Sequence, residues 1–185
     1  MLTLLRTRQG VAAIEFALLA PILLLLVLGG TELIRYLLIV QKVDKVAATV
    51  ADIVTQSPSV STAGLNEMLT AAAQVMNPYG FGISGVAILT SISQQSTGNS
   101  PGPKINWTFK GGGSLSRNSQ LMVLANGTVS LPGGLVLDDK ENIVVTEVYY
   151  AYKPILSGYL LGSTDIYRTV VYKPRLGALT APPGS

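Results

Sequence analysis

The chain has 185 residues, of which 48% are hydrophobic and 12% charged, with a formal net charge of +3. The charged share is about half the usual globular value, so part of the chain is expected to face lipid or other subunits, and neither the small net charge nor any basic-aromatic run points to nucleic acid. Cysteine and histidine are both absent, which excludes disulfides, thiolate metal sites and thiol catalysis and removes the commonest general base and metal ligand.

The first ten residues, MLTLLRTRQG, carry Arg6 and Arg8 and no acid. The stretch Val11 to Gly30 that follows is apolar apart from Glu15. Twenty helical residues reach roughly 30 Å, the thickness of a bilayer core. The two arginines ahead of the span orient the N-terminus to the cytoplasm and the remainder outward. Three readings share this pattern: a cleaved secretory signal, a plain single-pass anchor, and a span with a processed N-terminus. The first expects an A-x-A site after the apolar core, but the sequence continues as TELIRYLLIVQKVDKVAATVADIV, which reads as more helix. The third accounts for Glu15. A lone carboxylate in the membrane costs several kcal/mol on typical scales. Cutting after Gly10, where glycine favours an accessible, extended backbone, would give Val11 a new α-ammonium about one helical turn from Glu15, in reach to neutralise it.

The run G-V-A-A-I-E-F-A-L-L-A-P from Gly10 to Pro21 resembles the prepilin peptidase site of type IV pilin-like proteins. The Glu15–Phe16 pair with Pro21 resembles the TadE-like pseudopilins of the tight-adherence (Flp) pilus system, over roughly residues 6–56. The resemblance implies a leader over residues 1–10, cleavage between Gly10 and Val11, and peptidase recognition and assembly through Glu15 and Phe16. It also implies a pilin-like fold and a minor pilin or pseudopilin held in the bacterial inner membrane, with its C-terminal domain periplasmic. The expected partners are a prepilin peptidase, other pilin-like subunits and the pilus assembly platform. An uncleaved, membrane-anchored periplasmic binding module is the alternative function.

Beyond the span, Tyr36, Val40, Val43, Ala47, Val50 and Val54 recur at alternating spacings of four and three, a heptad seam. Ile39, Val46 and Ile53 widen it, and Gln41, Lys45, Asp52 and Thr55 are expected on the opposite face. Residues 31–56 therefore read as an amphipathic extension of the same helix, its seam packing on the domain's own sheet or along a filament. Glu32 and Arg35, at i,i+3, read as an ordinary ion pair near the interface.

The exported domain is expected over residues 57–177. Pro58 ends the long helix. Ser61 or Thr62 caps a second, short one whose apolar face is Leu65, Met68, Leu69, Ala72 and Met76, and Asn77-Pro78-Tyr79-Gly80 stops it. Strands are predicted at 83–93, 104–110, 142–153 and 166–173. A loop spans Gln94 to Pro103 and a connection Pro154 to Ser163. The stretch Ser114 to Leu137 is ambiguous, with a short helix near Gln120 and a short strand over 128–131 as the readings. Residues 178–185 read as a mobile tail. Helices first and strands after favour an α+β fold with an antiparallel sheet of about four strands. Segments such as INWTFKGGG, NIVVTEVYYAYKP and YRTVVYKPR also resemble TadE-like proteins, whereas the Ala-Arg pairs that follow the span in many members are replaced here by KVAATVAD.

No catalytic or metal site emerges. Gly111–Gly113 lacks the frame of a phosphate loop and reads as a flexible turn. Asp138, Asp139 and Glu141 gather carboxylates without the alternating spacing of a calcium loop and enclose Lys140, so they read as a solvated turn. Tyr150 and Tyr152 share one face of their strand, and Tyr149 points the other way. No enzyme activity, cofactor or small-molecule substrate is expected.

Overall fold

The structure, a computed structural model, describes residues 8–97, 101–155 and 162–184. Residues 1–7 of the expected leader, and parts of the expected 94–103 loop and 154–163 connection, lie outside the described residues. One helix, α1 (Arg8–Thr55), runs unbroken for 48 residues with Pro21 inside it. Gly10 is helical, not extended as the cleavage reading expected. It sits in the first turn, where backbone N–H groups have no intrahelical acceptor and the helix-forming alanines that follow set the conformation.

The second half of α1 buries the anticipated seam. Ile39, Val43, Val46, Ala47, Val50 and Val54 are buried against the sheet and the second helix. Gln41 and Lys45 are exposed. Thr55, expected on the outer face, is instead buried. Its hydroxyl folds back onto the Ala51 carbonyl at 2.7 Å, which satisfies it without water. The helix ends against Arg175, whose backbone N–H donates to the Thr55 carbonyl at 2.9 Å and whose guanidinium reaches Asp52 at 2.8 Å. A cation beside a helix C-terminus is favourable for the dipole as well.

The short helix α2 (Thr62–Ala73) is capped by the Ser61 hydroxyl, which accepts from the Gly64 N–H. It buries Leu65, Leu69 and Ala72, and a 3-10 turn over Gln74–Met76 adds Met76. Four strands follow: β1 (Gly85–Gln95), β2 (Gly102–Gly111), β3 (Asn142–Tyr152) and β4 (Thr164–Tyr172). They form one antiparallel sheet in the order β2-β1-β3-β4. The fold is thus α+β, with a long N-terminal helix, a short second helix and a four-stranded antiparallel sheet.

Both faces of that sheet are covered. Ala87, Leu89, Trp107, Val144, Val148, Tyr150 and Tyr152 lie under the helices. On the other face the stretch between β2 and β3, ambiguous in the sequence, closes over Ile92, Ile143 and Val145 with Val129, Leu131 and Leu137, and Leu115 covers Val86, Ile88 and Tyr149. Neither the expected helix near Gln120 nor a strand over 128–131 forms. The segment holds an isolated bridge between Val123 and Val129 and a 3-10 turn at Pro132–Gly134. It is irregular because its backbone tracks the sheet's side chains, not a neighbouring strand. Gly111–Gly113 is correspondingly no loose turn. Gly112 has φ 78°, and a Cβ on Gly113 would stand 2.8 Å from the Gly82 carbonyl oxygen, so the chain passes where only glycine fits.

The tail also departs from expectation. Leu179 is 3% exposed. Its N–H donates to Asn142 Oδ1 at 2.8 Å, and its carbonyl accepts from Ser91 Oγ at 2.7 Å and Trp107 Nε1 at 2.8 Å. The Gly184 carbonyl accepts from Thr62 N–H at 2.8 Å. The tail is held because it satisfies buried polar groups that the sheet alone leaves open.

Candidate functional site

The N-terminal half of α1 projects from the domain with its side chains exposed. Val11, Ile14, Phe16, Leu18, Leu19 and the whole run Ile22–Leu28 are accessible. The helix from Gly10 is long and apolar enough to cross a membrane. Val11 and Glu15 stand four residues apart in this helix, so they share a face about one turn apart, with Phe16 on the adjoining face. A Cβ at Gly10 would meet nothing within 4 Å. The structure therefore keeps Gly10, Val11, Glu15 and Phe16 together on one open helical stretch, away from the folded domain. Pro21 leaves the Ala17 carbonyl without its usual donor, yet the helix continues through it.

The root of this helix is where the domain grips it. Glu32 and Arg35 do approach, at 3.7 Å, but their relationship is not an ordinary surface pair. Glu32 is 2% exposed. Its carboxylate accepts from the Tyr152 phenol at the end of β3 and from the Ile155 backbone N–H at 3.0 Å. Arg35 donates to the Lys153 carbonyl at 3.2 Å, and its guanidinium lies 5.9 Å from the Tyr79 ring centre and 5.6 Å from that of Tyr152. Tyr36 meets Tyr152 edge-on at 5.2 Å. Burial, and then the hydrogen bond to Glu32, push the Tyr152 phenol up to about 12, so it remains a proton donor at neutral pH. The sequence signalled Glu32 only through its spacing to Arg35. Nothing local could announce a phenol 120 residues away.

The other polar groups singled out do not converge on a ligand site. Glu141 pairs with Lys173 at 3.0 Å and accepts from the Asp138 N–H at 2.8 Å, contacts that lower its carboxyl below the usual range, the Asp138 bond first. Asp139 accepts from Ser96. Among the described residues no three acidic side chains come together as a metal set. Glu147, unremarked in the sequence, is fully buried on the far face of β3. It accepts from the Gln120 N–H at 2.8 Å, from the Tyr167 hydroxyl at 2.9 Å and from Ser119. A buried carboxylate needs such donors, and here it ties the covering segment to the sheet. Tyr149 lies on that same face beside Tyr167, ring centres 4.8 Å apart, while Tyr150 and Tyr152 lie under the helices.

The model of the TadE-like protein family matches residues 10–52, which covers the exposed apolar stretch, the Glu32 joint and most of the buried seam. No curated protein and no solved structure matches the chain.

Proposed function

We propose that this chain is a minor pilin or pseudopilin that takes part in assembling a tight-adherence (Flp) type IV pilus, matured by a prepilin peptidase that cuts after Gly10. The observation that carries the reading is the Gly10–Val11…Glu15–Phe16 spacing at the head of an exposed apolar helix, within the region that matches the TadE-like family. The helix fits a membrane anchor by length and composition. In this reading it is held in the bacterial inner membrane with its domain periplasmic. Cleavage frees the Val11 ammonium, and Glu15 receives it, within one helix or from a neighbouring subunit. Its partners are the peptidase, other pilin-like subunits and the assembly platform, and the chain performs no catalysis of its own. The buried seam of α1 is used inside the domain, which leaves the exposed apolar side chains between Val11 and Leu28, with Leu33, Ile34, Leu37 and Leu38, as the surface for assembly. N-terminal sequencing of the protein from membranes of cells with and without the peptidase tests this. Val11 as the first residue only where the peptidase is present supports it. An intact leader in both favours the uncleaved anchored binding module instead.

A further inference from the structure

We propose that the base of the exported domain is a phospholipid-docking surface, seated in the headgroup layer of the same bilayer that α1 crosses. The inference rests on the anchor reading above and goes beyond it, because an anchored domain can equally stand clear of the membrane on its helix. Here the joint forbids that clearance. With Val11 to Gly30 in the hydrocarbon, Glu32 lies about 3 Å beyond it and Arg35 about 7.5 Å beyond it along the helix axis. The polar layer on each side of a bilayer is roughly 5–8 Å deep. Glu32 holds the Ile155 backbone at its own level, and Arg35 holds Lys153 and Tyr79 at its level. The base of the domain is thus fixed at headgroup depth by hydrogen bonds to the helix.

The side chains there match that depth. Ile155 is 72% exposed and Ile83 is 87% exposed. Ile83 sits in the turn at the same end of the sheet, where the Ser84 carbonyl accepts from the Ala151 N–H at 2.7 Å. Lys153 is exposed beside them and the Tyr79 ring is half-buried. Two apolar tips flanked by a tyrosine and basic groups are what an interface accepts: the isoleucines enter the acyl boundary while Arg35 and Lys153 meet phosphates. Past Gly30 the helix itself keeps Leu33, Ile34, Leu37 and Leu38 exposed, so its open side over this stretch suits the acyl boundary. Lipid is the favoured occupant over a second protein, because the anchor brings this surface to the headgroups with no further molecule required.

The chain contains no cysteine, which permits single nitroxide labels on the full-length protein in phosphatidylethanolamine/phosphatidylglycerol vesicles. The labels go at Ile83→Cys, Ile155→Cys, Leu24→Cys in the apolar helix and Val136→Cys at the opposite end of the domain, and collisions with oxygen and with a water-soluble nickel chelate are compared. The expected result is loss of chelate access at 83 and 155 relative to 136, at a depth shallower than 24. Labels at 83 and 155 as open to the chelate as 136, with 24 protected, overturn the docking while leaving the anchor. A Leu24 label open to the chelate overturns both. Dipolar broadening between copies at 83 or 155 that vanishes on dilution with unlabelled chain shows a protein contact and overturns the lipid assignment.

Discussion

The Tyr152 phenol, on the last residue of β3, donates to the buried carboxylate of Glu32 on α1. This pair couples the direction of the projecting helix to the sheet. Tyr152→Phe keeps the ring packing on Tyr36 but removes a donor from a buried charge, a loss of about 1–3 kcal/mol, measurable by denaturant unfolding of the full chain in detergent. The pH dependence follows from the raised phenol. A tyrosine with an ordinary pKa of about 10 when unfolded and about 12 when folded contributes stability that is complete below pH 10 and lost as pH rises towards 12. Wild type is therefore expected to lose more stability than Tyr152→Phe over that window. Parallel losses in the two proteins refute the coupling.

Val50 lies at the centre of the buried seam at 1% exposure. Val50→Asp places an unpaired carboxylate under the sheet and is expected to cost several kcal/mol or raise the group's pKa until it is neutral. A melting temperature equal to wild type would mean the seam is not packed on the domain.

Removal of residues 178–185 strips partners from Asn142, Ser91 and Trp107. Each buried group left unpaired costs about 1–3 kcal/mol. Trp107 is the only tryptophan, so its fluorescence reports the same site directly, and an unchanged emission and unfolding midpoint would contradict the tail's role.

Gly10→Val is expected to block maturation, since a β-branched residue obstructs the peptidase's approach to the bond. The site is open, with nothing within 4 Å of a new Cβ, so loss of processing would not come from misfolding. Mature protein in normal amount from this variant counts against the cleavage site.

Glu15→Val removes a costly carboxylate from an apolar helix, so membrane insertion is expected to hold or improve. On the proposed reading, in which cleavage gives Val11 an ammonium paired with Glu15, pilus yield is expected to fall sharply. Glu15→Asp, with a shorter arm, does partial damage. Membrane-fraction level and surface pilus yield are read in the same cells. Equal yield from wild type and Glu15→Val removes Glu15 from assembly, and lost insertion contradicts the transfer argument.

What the sequence determined by itself was local. The four-three spacing of Val43, Ala47, Val50 and Val54 marked the buried stripe of α1, Pro58 marked its end, Ser61 or Thr62 the start of α2, and the alternation in β3 placed Tyr150 and Tyr152 opposite Tyr149. Each signal follows from backbone geometry, whose periods of 3.6 and 2 act within a few residues. Only the tertiary structure decided the fate of Glu32 and Glu147, the irregular cover over the sheet's second face, and the lodging of Leu179. A carboxylate reads as exposed until a donor is brought to it. The Tyr152 phenol that buries Glu32 is 120 residues away, and Gln120, which helps bury Glu147, is 27. Burial of a polar group is settled by whichever partners the fold delivers, and no periodicity along the chain encodes that meeting.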